Sequence, residues 1–143
     1  MDNKKYKPKV DKLFYLVMIP TMIIVLAPVI ICGILVPTTL FITVPILLFT
    51  TYFLITTLFG YVELQESSLF IKYGFIMSKE IPYDKIRGVE KERSIISTST
   101  LSIKNALDHV NIKYNTFDLT TVSLKEFDSF LEELNKRCDG RLL

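Results

Sequence analysis

The chain has one histidine, two cysteines and five glycines in 143 residues. Each scarcity excludes something. Cys32 and Cys138 lie far apart and fit no metal or redox spacing. Each reads as a reduced, half-buried thiol. Val29-Ile30-Ile31 ahead of Cys32 lacks the small residues of a lipoprotein anchor. The one histidine, His109, falls on the outward face of an alternating strand and reads as a solvated residue. Gly74, Gly88 and Gly140 are isolated, so no glycine-rich phosphate loop forms. Glu80 and Asp84 sit beside Lys79 and Lys85 and read as a charged turn, not as paired catalytic carboxylates. The inventory excludes nucleophile–base pairs and ligand clusters. No catalytic residue, metal or cofactor is expected, and the chain reads as no enzyme.

The longest absence is of charge. From Leu13 to Val62 no Asp, Glu, Lys, Arg or His occurs. A helical span of a bilayer needs about 20 apolar residues. This run is too long for one span and suits two with a tight turn. Leu13 to about Cys32 and Thr39 to about Gly60 are the expected spans, so 13–60 reads as a transmembrane hairpin. Gly33 and Pro37 supply the turn. Pro20, Pro28 and Pro45 fall inside the spans, where neighbouring helices and threonines can cover the freed carbonyls. The apolar stretch is far too long for the h-region of a cleavable signal peptide. No GxxxG occurs and no intramembrane charge marks an ion path, which argues against a channel built from this chain alone.

Charge returns at both flanks. Residues 1–12 carry Lys4, Lys5, Lys7, Lys9 and Lys12 and read as a basic cytoplasmic tail. The positive-inside rule then puts both termini in the cytoplasm of a multi-pass cell-membrane protein. Those lysines are candidate contacts for anionic lipid, each contributing about 1 kcal/mol near the surface. Thr39, Thr43, Thr50 and Thr57 form one stripe on the second span. They could bond across helices, or each could bond its own preceding carbonyl. From Glu63 onward twelve cations face thirteen anions, a near-neutral balance that disfavours nucleic acid as a partner.

Beyond Gly60 the pattern alternates. Strands are expected at Val62 to Gln65, Leu69 to Tyr73, Phe75 to Ile81, Ile86 to Glu92, Thr98 to Ile103, Val110 to Tyr114 and Phe117 to Val122. Ser123-Leu124-Lys125-Glu126 reads as a capping box. It would open a helix whose Phe127, Phe130, Leu131 and Leu134 share one face, with Asp139-Gly140 as the stop. About seven strands and one amphipathic C-terminal helix suit a bent antiparallel barrel closed by the helix. A fragment cut at Gly60 is expected to fold alone.

This stretch resembles the bacterial, YyaB-like pleckstrin-homology domains. The matching residues are Leu69-Phe70-Ile71-Lys72-Tyr73-Gly74, Ile81-Pro82-Tyr83-Asp84-Lys85-Ile86 with Val89, Leu101-Ser102, Val110-Asn111-Ile112-Lys113-Tyr114, and Val122-Ser123-Leu124-Lys125-Glu126-Phe127 with Phe130 and Leu131. The resemblance runs from about Tyr61 to Arg137 and implies a pleckstrin-homology-like fold with a short hydrophobic hairpin before it; by the charge rule above, the domain, 61–143, is expected to be cytosolic. It brings no catalytic residues. Phosphoinositide-binding relatives use a basic first hairpin, whereas Glu66-Ser67-Ser68 holds no cation.

What is left is action by binding. Lys85, Arg87, Lys91 and Arg93, interrupted by Glu90 and Glu92, form the candidate surface for a protein or peptide partner. They equally suit a solvated strand edge. The expected function is a non-enzymatic membrane protein whose cytosolic module holds a partner at the inner face, in self-immunity or envelope stress. The alternative is an accessory subunit of a transporter or channel, or a homo-oligomer, packing through the threonine stripe.

Overall fold

The computed structural model describes residues 3–95, 99 and 102–142, without the side chains of residues 53, 54 and 57. Two apolar helices, α1 (Lys12–Leu35) and α2 (Leu40–Thr56), run antiparallel and are joined through Val36 and a tight turn at Pro37–Thr39. Cys32 O accepts the Val36 amide and Val36 O the Thr39 amide, which closes the end of α1. Leu40 packs against Gly33, where a side chain would collide with it. At 1.5 Å per residue α1 is about 36 Å long, more than the ~30 Å of a hydrocarbon core. None of its residues is buried. By length and composition α1 alone, among the described helices, qualifies to cross a membrane. The seventeen residues of α2 fall short unless the turns at Pro37–Thr39 and Thr57–Phe59 extend it.

The expected basic tail is not a tail. Lys4–Tyr6 is a strand, β1, paired antiparallel with β2 (Tyr61–Leu64), on the far side of both helices in sequence. The alternation of Lys4, Lys5 and Tyr6 is too short to announce a strand. Its partner decides it. β3 (Ser68–Tyr73) and β4 (Met77–Pro82) complete a first sheet in the order β1-β2-β3-β4. A second sheet holds β5 (Ile86–Arg93), β6 (Ser102–Ile103), β7 (Asp108–Tyr114) and β8 (Asp118–Val122) in the order β5-β7-β8-β6. Of the strand expected from Thr98 to Ile103, Ser102–Ile103 is strand, Ser99 is in no regular element, and Thr98, Thr100 and Leu101 lie outside the described residues.

The two sheets share one core. Val62, Leu64, Leu69, Ile71 and Ile81 from the first meet Ile103, Val110, Ile112 and Val122 from the second. α3 (Phe127–Arg137) closes it with Phe130 and Leu134, and Cys138 just beyond is also fully buried rather than half-buried. Tyr6 of β1 meets Phe130 edge-on, ring centroids 5.2 Å apart.

The helix starts three residues later than the capping box predicts, at Phe127 rather than Leu124. Ser123 stays extended because its amide is bonded to Ile103 O and its carbonyl to the Lys9 amide. Pro8 then bridges Leu124, and Lys125 N reaches Lys7 O. Strand pairing holds residues 123–125, so Ser123 Oγ is buried with no partner and Glu126 precedes the helix without a side-chain cap.

These contacts set two expectations. Phe130→Ala should lower stability by about 3–5 kcal/mol, read as thermal unfolding in detergent. A fragment beginning at Gly60 should be less stable than one in which residues 3–11 are joined to residue 60 by a Gly/Ser linker, because the first loses β1 and Tyr6. Equal melting of the two fragments would show β1 to be dispensable.

Candidate functional site

The four candidate cations all lie on or beside β5, an edge of the second sheet. They do not converge. Lys85 closes the turn at Tyr83–Lys85, 3.9 Å from Asp84. Arg87 is the bulged residue: Ile86 pairs with Tyr114, but Gly88 pairs with Lys113. The bulge breaks the alternation and leaves Arg87 exposed. Lys91 and Arg93 share the face of half-buried Val89. Lys91 Nζ lies 4.7 Å above the Phe127 ring, and Arg93 Nε lies 3.8 Å from Asp108. Asp108 also accepts from Lys9 Nζ at 3.1 Å. That hydrogen bond, with the charges of Lys9, Arg93 and Lys91, holds the Asp108 carboxyl below its ordinary value. A depressed carboxyl adds stability that is present above its unfolded pKa and lost as pH falls through the folded one.

The opposite face of β5 is polar and occupied. Glu90 pairs with Lys113. Glu92 accepts Asn111 Nδ2 at 2.6 Å, and Asn111 Oδ1 accepts Thr121 Oγ1 at 2.7 Å. This ladder of side chains crosses β5, β7 and β8. His109 belongs to it, and the expected solvated histidine is corrected here. Its ring is 2% exposed, with Nδ1 2.9 Å from Leu107 O and Nε2 3.6 Å from Glu92. The alternation is outward from the core, yet the ring is covered, with Leu107 O at one nitrogen and Glu92 of β5 near the other. Nearby in the chain, Lys104 Nζ reaches Ser94 Oγ. Among the described residues no three His, Cys, Asp or Glu side chains come together to hold a metal.

Residues 60–138 match the family model of the bacterial PH domain, over half of the chain. The chain belongs to the bacterial PH domain family. No curated protein and no solved structure was found to match it. The matched span begins at Gly60, so β1 lies outside it and joins the PH domain from the other side of the helices in sequence.

That addition changes the standing of the tail lysines. Lys5 sits 3.6 Å from Glu63, Lys4 donates to Ser129 Oγ, and Lys9 bonds Asp108. Lys7 and Lys12 are exposed. Two of the five lysines, Lys5 and Lys9, thus face carboxylates of the PH domain. The threonine stripe also has local partners. Thr43 and Thr50 hydroxyls donate to Thr39 O and Ile46 O, and Thr39 to Val36 O. The side chain of Thr57 lies outside the described residues.

Sequence reasoning missed three anchors of the PH domain. Arg137 Nη1 donates to Gln65 O at 2.6 Å and ties α3 to the β2–β3 loop. Tyr83 OH donates to the same carbonyl at 2.6 Å. Tyr73 OH and Thr120 Oγ1 bond in the interior between the sheets. A polar residue on an apolar face, such as Tyr73 at the end of Leu69 and Ile71, is the only signal for that bond. A cleft of about 210 Å³ opens between Leu13, Val17 and Met18 of α1 and Lys104, Ala106 and Leu107. Burial lowers the Lys104 pKa there.

Burial pushes the Tyr73 hydroxyl from 10.0 up to about 12, against the lowering effect of the Thr120 bond. A raised phenol pKa adds stability that is complete below 10 and is lost as pH rises through about 12. Tyr73, and Tyr83, whose hydroxyl burial also pushes up, should therefore ionise late in an alkaline absorbance titration. Tyr73→Phe should remove one late-ionising group, lessen the alkaline loss of stability and cost about 1 kcal/mol at neutral pH.

Proposed function

We propose that this chain is an integral membrane protein of two spans, with its PH domain and both termini on the cytoplasmic face. There the domain holds a protein or peptide partner and performs no catalysis. The observation that carries the topology is the β1–β2 ladder. Residues before α1 and residues after α2 share one sheet, so the chain between them crosses a bilayer twice or not at all. The uncharged run from Leu13 to Val62, and the exposure of apolar side chains such as Leu16, Ile24, Ile34 and Phe41, favour twice. α2 with its flanking turns, residues 37–59, makes the return crossing, and a locally thinned bilayer meets any shortfall. The lysines before α1 favour the cytoplasm for the domain. The hairpin ahead of the domain agrees with the YyaB-like resemblance.

The binding role rests on β5. An edge strand presents unpaired backbone groups to which a partner's strand can add. Lys85 and Arg87 are exposed beside it and suit an acidic or amphipathic segment. Self-immunity or envelope stress is a role this plan would serve. The accessory-subunit reading gains little from the threonine stripe, because Thr43 and Thr50 are satisfied within α2.

Two measurements test this. In a Cys32→Ser background, Asn3→Cys and Asp139→Cys should resist an impermeant maleimide in intact cells and react after lysis. Labelling of either from outside would overturn the topology. Lys85→Glu with Arg87→Glu should abolish co-purification of a crosslinked partner from native membranes, while Lys136→Glu on α3 leaves it unchanged. Retention of the partner by the helices alone would favour the subunit role.

A further inference from the structure

The turn between β3 and β4 carries Phe75, Ile76 and Met77, which are 50%, 78% and 48% exposed. Nothing in the fold of the PH domain requires three large apolar side chains at a hairpin tip. Their neighbours give the reason. Phe75 stacks on Phe59 with ring centroids 4.6 Å apart, and Tyr52 lies 6.2 Å from the same ring. Tyr52 and Phe59 are two helical turns apart, so Phe75 runs along the last turns of the second helical segment. Gly74 brings the turn there. Its φ of +89° is left-handed, and a side chain at this position would strike Thr56. Phe59 itself is 54% exposed, so the apolar surface of the helix continues without a break onto the hairpin tip. No charge lies between Lys72 and Lys79, which flank the tip on its two strands. That arrangement, apolar tip and basic shoulders, matches the boundary between acyl chains and anionic headgroups.

We propose that the β3–β4 turn is a third membrane contact, in which Phe75, Ile76 and Met77 enter the lipid interface beside the end of α2. The ligand is the phospholipid bilayer itself, and the proposal rests on the two-span reading above. The contact fixes the tilt of the PH domain. The first sheet leans its tip toward the bilayer, and the β2–β3 loop and the end of α3 point away from it.

The chain contains no tryptophan, so each introduced one is a unique probe. The full chain is reconstituted in nanodiscs of phosphatidylcholine and phosphatidylglycerol, with or without lipids brominated near the headgroup end of the acyl chains, to read position 76, or near their methyl end, to read position 24. Ile76→Trp should emit to the blue of Lys136→Trp on α3 and lose intensity with brominated lipid. Lys136→Trp should not be quenched. Ile24→Trp, midway along α1, reports on the spans. Quenching of Ile24→Trp without quenching of Ile76→Trp overturns the third contact and leaves the two spans standing. An unquenched Ile24→Trp overturns the membrane reading itself. Blue but unquenched emission from Ile76→Trp places the turn against protein, such as a second copy, and also overturns the proposal. Met77→Trp is the second probe should the first variant fail to fold.

Discussion

Residues 3–11 hold the two sheets and the helical hairpin in one object. Lys4–Tyr6 pairs with β2 of the first sheet, and Lys7 to Lys9 then bond residues 123–125 at the end of the second. Asp11 finishes the segment by accepting the Leu107 amide and donating its own to Asn105 O, directly before α1 begins. A backbone polar group left unpaired in the interior costs about as much as a lost hydrogen bond. Releasing this segment would orphan groups on both sheets together. It would also open the space that Tyr6 fills against Phe130. The start of α1 and the end of α2 are therefore fixed side by side on the domain.

The same segment redistributes charge. Lysines that read as a lipid-facing tail become partners of Glu63, Asp108 and Ser129. Exposed pairs of this kind each contribute little. Their effect is on specificity of register: Lys5 opposite Glu63 is a cross-strand pair that a one-residue slip would break. The outward face of the second sheet follows a related logic. Glu92, Asn111 and Thr121 satisfy one another in a line, and the buried His109 lies between Leu107 O and Glu92.

The fold was legible wherever a local period carried it. Leu69, Ile71 and Tyr73 alternate and are buried; Phe130 and Leu134 recur at helical spacing and are buried. Resemblance in the same residues pointed to the PH family that the comparison bears out. Failures occurred where a distant segment decided a local outcome. Ser123 has an N-cap sequence, yet Lys9 and Ile103 hold it extended. His109 alternates outward, yet its ring is buried, with Leu107 O and Glu92 beside its two nitrogens. Lys4–Tyr6 has no strand period of its own. The candidate cations were placed on one edge as the sequence suggests, but the bulge at Arg87 and the Asp108 pair separate their directions. A bulge leaves no mark in hydrophobic periodicity beyond Gly88.

The β1–β2 ladder also has a consequence in time. Tyr6 leaves the ribosome first and must wait for Val62, its register partner, until the whole apolar hairpin has been made. With that hairpin in a bilayer, the ladder can close only if both helices have inserted and returned. A chain whose first helix entered without the second would strand Tyr6 and Phe130 on opposite sides. Its domain would lack an edge strand and expose the row of unpaired groups on β2, a surface that quality-control proteases recognise as unfinished. With the hairpin in a bilayer, completion of the sheet would thus act as a check on insertion, made by the same hydrogen bonds that stabilise the domain.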